Sequence, residues 1–153
     1  MAARLIHIVR HAHAGDPNAW QLDDDMRPLS ERGIGQAERL PGALSPSPEA
    51  LVSSPSLRCF ATLLPLARAN SLAITTAAAL YVGSPARTML GHLAALDARV
   101  AAGCTHGDVV EDLLGVLEHD GIAISPRRCE KGATWTLELR DGLVSAARYV
   151  APP

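Results

Sequence analysis

The sequence predicts an α/β fold built on a mainly parallel sheet, and three observations carry that prediction. Short, almost wholly apolar runs such as Leu5-Ile6-His7-Ile8-Val9 suit strands covered on both faces. These runs alternate with segments of helical period, the pattern of a parallel sheet with helices on either side. Near its end the chain changes period: Thr134 to Arg140 alternates, Asp141-Gly142 is a two-residue turn signal, and Leu143 to Val150 reads as a returning strand. With 153 residues, 48% hydrophobic and 20% charged, the chain can bury one ordinary core, so residues 1–153 are expected to form a single domain.

The elements follow in order. Leu5 to Val9 is the first strand, followed from His11 to Pro28 by a long polar stretch rich in turn formers, including Asp23-Asp24-Asp25. Ser30 offers an N-cap for a helix through about Leu40, with Pro41-Gly42 as its stop. Ala50 to Ser53 is a short strand. Ser54-Pro55 reads as an N-cap and first helical position, opening a helix to about Ala69 that places Arg58 in its first turn and is interrupted or bent at Pro65. Ile74 to Leu80 is a strand candidate, Ser84-Pro85 starts a helix ending near Leu96, and Asp108 is placed to cap a helix over Val109 to His119, closed by Asp120-Gly121.

Composition excludes several function classes. A formal net charge of −2 with scattered signs argues against nucleic-acid binding driven by bulk electrostatics. Cys59, Cys104 and Cys129 are odd in number and lack CxxC spacing, which predicts free thiols and neither a disulfide framework nor a zinc ribbon. The apolar N-terminal run is too short for a secretory signal and no run reaches membrane-spanning length, so a cytoplasmic protein without a membrane partner is expected.

The chemistry concentrates at strand ends. Arg10 and His11 close the first strand, Arg58 follows the second, and His106 follows Val100 to Cys104. Ligands of open parallel sheets bind beyond the carboxyl ends of the strands, where helix N-termini add positive charge. Two imidazoles and two guanidiniums gathered there make a small cationic pocket suited to phosphate. A neutral imidazole can attack phosphorus and hold the phosphoryl group, while arginine forks match its equatorial oxygens. No metal or other cofactor is required.

Four segments in order resemble the histidine phosphatase superfamily with the phosphoglycerate mutase-like fold. They are Val9-Arg10-His11-Ala12, Pro28-Leu29-Ser30-Glu31-Arg32-Gly33 leading to Gln36-Ala37, Ser53-Ser54-Pro55-Ser56-Leu57-Arg58, and Thr105-His106-Gly107. The resemblance implies a three-layer α/β/α sandwich, His11 as the phosphorylated nucleophile, Arg10 and Arg58 as phosphoryl ligands, and His106 completing the pocket. Small size, and Leu80-Tyr81 before Ser84-Pro85, are similar to the SixA-like phosphohistidine phosphatase branch. The segment Cys129 to Trp135 resembles instead the phosphatase domains that accompany Nudix hydrolases, whose substrates are nucleotide phosphates.

One departure bears on mechanism. Larger family members carry a carboxylate general acid after the third strand, and here Thr75 to Gly83 contains none. An alkoxide leaving group needs a proton, whereas the imidazole of a phosphohistidine leaves more readily, so the gap favours a phosphoramidate or an activated phosphate, with a phosphohistidine protein or another small phosphorylated substrate as the expected partner. Asp108 is the candidate replacement acid, with Asp16 and His13 as further candidates.

Other readings compete. His11-Ala12-His13 resembles the HxH of metal-dependent amidohydrolases, but those barrels need roughly 250 residues. Asp23-Asp24-Asp25 lacks the alternating ligands of a calcium loop and reads as a solvated turn. A noncatalytic phosphoprotein-binding module is the second reading, with mutase activity behind it. His7, His92 and His119 read as structural or surface residues, and Trp135 as packing for the hairpin.

Overall fold

A computed structural model describes residues 3–153. Ten principal elements follow in order: β1 (Arg4–Arg10), α1 (Glu31–Ala43), β2 (Ala50–Ser53), α2 (Leu57–Asn70), β3 (Ile74–Thr76), α3 (Ala86–Ala94), β4 (Val100–Thr105), α4 (Gly107–His119), β5 (Thr134–Arg140) and β6 (Leu143–Val150). The strands form one sheet in the order β3-β2-β4-β1-β5-β6. The first four strands run parallel, and β5 and β6 add the expected antiparallel hairpin beside β1.

Alternation along each strand divides the core into two layers. Val9, Leu51, Ala102 and Cys104 pack with Leu40 of α1 and with Leu63 and Leu66 of α2. Ile6, Ile8 and Val52 pack with Met89 and Leu93 of α3, with Leu113, Leu114 and Leu117 of α4, and with Trp135. The three α4 leucines are fully buried, each contributing about 1.5–3 kcal/mol, and this docking fixes where α4 begins. At the opposite end of β1, Arg4 donates to the carbonyls of Ala94, the last residue of α3, and of Leu96 and Ala98 beyond it, tying strand to helix. Among the described residues, no helix is long and apolar enough to cross a membrane.

Four boundaries differ from the sequence expectation. Helix α1 passes through Pro41 and Gly42 to Ala43, because a proline in the last turn removes only a terminal hydrogen bond while Leu40 and Leu44 stay buried. Helix α2 starts two residues late, with Ser56 as N-cap, since the hydroxyl of Ser54 has another partner. The third strand ends at Thr76 and Ala78–Leu80 becomes a 3₁₀ turn that carries Leu80 into the core. The N-cap of α4 is His106, so Asp108 sits inside the first turn and its carboxylate accepts from the Gly83 N–H at 2.7 Å. Pro65 lies inside α2, which continues past it to Asn70.

His7 is fully buried between the Thr136 hydroxyl (2.8 Å) and the Pro46 carbonyl (2.9 Å), a structural role. All three cysteines are free.

Candidate active site

The sheet ends at one level, which places the predicted residues together. Arg10 lies opposite Thr105 in the β1–β4 register and Ser53 opposite Cys104 in the β2–β4 register. One residue further, the His11 N–H donates to the Thr105 carbonyl and the Ser54 N–H to the Cys104 carbonyl, both at 3.0 Å. His11, Ser54 and His106 are thereby neighbours over the strand ends, and Arg58 joins them from the first turn of α2. The rings of His11 and His106 stand edge to face, 5.7 Å between centroids. His11, Arg58 and His106 are each buried.

Two glycines permit this crowding. A Cβ on Gly107 would stand 2.7 Å from Cζ of Arg10, so the guanidinium lies against bare backbone at the start of α4. A Cβ on Gly33 would fall 1.9 Å from the His13 carbonyl oxygen, so α1 meets the loop after His11 at backbone contact distance.

His11 is held as a neutral ring with a defined free edge. Its Nδ1–H donates to the Ala12 carbonyl at 2.8 Å, which leaves Nε2 with the lone pair. Burial, against the hydrogen bond to Ala12 and aided by the guanidinium charges of Arg58 and Arg10, lowers its pKa to about 3. A histidine depressed in the folded state takes up a proton in the unfolded chain first, so it stabilises the fold above pH ~6.5, and that stability is lost as pH falls toward 3. In urea titrations of wild type and His11→Asn between pH 6 and 4.5, the wild type should lose stability more steeply, by up to about 1.4 kcal/mol per pH unit. Equal slopes would mean that His11 titrates normally.

His106 uses both ring nitrogens. Nε2 lies 2.7 Å from the Ser54 hydroxyl and 3.7 Å from the Cys59 sulfur, and Nδ1 lies 3.4 Å from Nη2 of Arg58. Arg10 donates through Nη1 to the Cys129 carbonyl. The Nε atoms of Arg10 and Arg58 are buried without an acceptor, and buried N–H donors of this kind are satisfied when an oxyanion enters.

The acidic turn read from sequence as solvated is exposed at Asp23 and Asp24, and it also borders the pocket. Arg58 donates through Nη1 to the Asp24 carbonyl (2.7 Å) and pairs through Nη2 with the Asp24 carboxylate (3.1 Å). The Asp25 carboxylate accepts from the hydroxyls of Ser56 (2.9 Å) and Tyr81 (2.6 Å). The rings of Tyr81 and His106 also stand nearly perpendicular, 6.0 Å between centroids. Arg27 clamps the turn from behind, to the Asp24 carboxylate and the Ala14 carbonyl. Hydrogen bonds from Arg27 and Tyr81 hold Asp24 and Asp25 respectively below the usual carboxylate range. A signal for this was available: a buried guanidinium such as Arg58 needs a counter-charge, and Asp23-Asp24-Asp25 is the densest acidic run on the loop leaving His11.

The three candidate acids each have another hydrogen-bond partner. Asp108 is exposed on α4 and engaged with Gly83, Asp16 caps the 3₁₀ turn Pro17–Ala19, and His13 turns Nδ1 to the Ser30 hydroxyl at 2.7 Å. Among the described residues, no three His, Cys, Asp or Glu side chains gather as a metal-ligating cluster.

Comparison with known proteins gives concordant results. The model of the histidine phosphatase superfamily (branch 1) matches residues 6–81. A protein of Mycolicibacterium smegmatis described as an 8-oxo-(d)GTP phosphatase is 31% identical over 158 aligned residues, covering 98% of this chain and 49% of that protein. The chain thus spans about half the length of the curated relative it matches. The structure of a protein histidine phosphatase SixA complexed with tungstate superposes with a TM-score of 0.78 at 21% identity, covering 97% of each chain. A mycobacterial glucosyl-3-phosphoglycerate phosphatase superposes with a TM-score of 0.69 at 16% identity over 99% of each chain. At those identities the superpositions establish a shared fold, the phosphoglycerate mutase-like sandwich.

Proposed function

The chain belongs to the histidine phosphatase superfamily (branch 1), and from that premise we propose that it is a phosphatase working through a phosphohistidine on His11. The observation that carries the proposal is the His11 ring, neutral, with Nδ1–H bound to Ala12 and Nε2 unencumbered.

The steps balance without a metal. Nε2 of His11 forms a bond to phosphorus while the bond from phosphorus to the leaving group breaks, and the leaving group takes one proton from solvent, to which the attacking water of the second step returns one. Water then attacks the phosphohistidine, gives up a proton, and releases phosphate and neutral His11. Arg10 and Arg58 bind the equatorial oxygens, with His106 as a further donor.

The substrate is a phosphomonoester or phosphoramidate. A phosphohistidine protein suits the pocket chemistry, because Asp24 and Asp25 are held ionised and so are poor proton donors to an alkoxide. A nucleotide phosphate is the second reading, favoured by the 31% identity with the 8-oxo-(d)GTP phosphatase. It is also favoured by Leu22, Met26 and Val82, exposed apolar side chains next in sequence to Asp23, Asp25 and Tyr81, where a base could pack. Three free thiols fit a reducing cytoplasm.

Hydrolysis of para-nitrophenyl phosphate in EDTA tests the proposal, with rapid quenching to capture a protein-bound phosphoryl group that is labile in acid and stable in base. Turnover in EDTA with such an intermediate is expected. No turnover would favour a noncatalytic binding module, and loss of turnover to EDTA would move the case to a metal site.

A further inference from the structure

Ser54 belongs to no role assigned above, yet it is fully buried and its hydroxyl makes the shortest contact of either pocket histidine. The N-cap of α2 is Ser56, whose hydroxyl goes to Asp25 and whose N–H donates to Ser54 Oγ at 3.4 Å, and the Ser54 main chain completes the strand ladder through Cys104. The hydroxyl keeps its proton and a second lone pair for His106, the shorter of its two contacts.

Hydrogen-bond polarity around His106 is constrained. An arginine N–H can only donate, so the 3.4 Å contact with Arg58 Nη2 requires a lone pair on Nδ1. The neutral ring must then carry its proton on Nε2 and donate it to Ser54 Oγ at 2.7 Å. Cys59 is the other neighbour of that nitrogen, and His11, Arg58 and Tyr81 face the rest of the ring. When a phosphoryl oxygen takes up the Arg58 donors, an Nδ1 lone pair would point at an anion and repel it. A proton on Nδ1 converts that repulsion into a charge-assisted hydrogen bond.

We infer that Ser54 is a positioning residue for His106, whose hydroxyl accepts from or donates to Nε2 and so lets Nδ1 change from acceptor toward Arg58 to donor toward the phosphoryl group. A hydroxyl serves both polarities because it is donor and acceptor at once. With Nε2 unprotonated, Ser54 O–H donates to it and Nδ1 carries the single proton. With both nitrogens protonated, Ser54 Oγ accepts and the ring is cationic. Alanine serves neither polarity. The inference rests on the phosphatase reading for its purpose, but the resting proton position does not.

The test is ¹⁵N spectroscopy of the histidine rings, without ligand and with inorganic phosphate, in wild type, Ser54→Ala and Ser54→Thr. Ligand-free wild type should show His106 protonated at Nε2 alone, and phosphate should bring Nδ1 into the protonated range. Ser54→Ala should show a mixture of tautomers without ligand and a weakened response to phosphate, with unchanged backbone amide spectra as the folding control. It should also lower kcat roughly 10–100-fold with a smaller effect on KM, the range found for partners that orient metal-bound imidazoles. Ser54→Thr, which keeps the hydroxyl, should restore the wild-type pattern. A wild-type resting ring protonated at Nδ1, or an alanine variant whose ring responds to phosphate as wild type does, overturns the inference. If the resting tautomers differ as expected but the wild type neither binds phosphate nor turns over, the phosphatase reading fails and the positioning contact stands.

Discussion

Replacing His11 by Asn lowers kcat for para-nitrophenyl phosphate by a factor on the order of 10⁴ or more, the scale at which enzymes with covalent intermediates fail when the nucleophile is removed. The asparagine keeps a polar group at the end of β1 but offers no nitrogen lone pair to phosphorus. Arg10, Arg58 and His106 stay in place, so affinity for inorganic phosphate should change by less than about fivefold, and the loss lies in kcat. That split separates a nucleophile from a binding residue. A variant that retained turnover within about tenfold would remove His11 from the chemistry.

The second large effect is expected at Arg58→Lys, a drop in kcat/KM of about 10²–10³-fold despite the conserved charge. Arg58 is buried, and its fork simultaneously reaches the Asp24 carbonyl, the Asp24 carboxylate and His106 while Nε remains available. A single ammonium cannot span those positions. The same substitution loosens the acidic turn, because Asp24 loses a partner that holds it to α2. Amide hydrogen exchange at residues 24–27 should therefore quicken in Arg58→Lys and remain unchanged in His11→Asn. Activity within about fivefold of wild type, or unchanged exchange, would count against this reading of Arg58.

Much of the pocket was legible because its residues are marked locally. His11 ends an unmistakable apolar run, His106 ends another, and Arg58 follows a short strand at a helix start. The hairpin was legible for the same reason, since Asp141-Gly142 punctuates two alternating runs. What escaped were contacts of long sequence separation. Asp24, Asp25 and Arg27 look like any hydrophilic turn until the fold brings Arg58 and Tyr81, 34 and 56 residues onward from Asp24 and Asp25 respectively, against them. Ser54 was legible only as a helix cap, because a serine before a proline offers the same hydroxyl whether it bonds to its own helix or across the sheet. Asp108 was misread as the cap for a related reason: the cap of α4 is His106, two residues earlier, held there by the ladder of β4.

The sequence by itself determined the parallel sheet with its terminal hairpin, the family, and the two arginines and two histidines placed at or just after the strand ends. It could do so because periodicity and strand termination are properties of near neighbours along the chain. Only the tertiary structure decided which carboxylates face the guanidiniums and which hydroxyl sets the polarity of His106. Those are questions of direction and distance over the carboxyl edge of the sheet, where residues from five separate segments meet, and hydrogen-bond energy falls away within an ångström of misplacement.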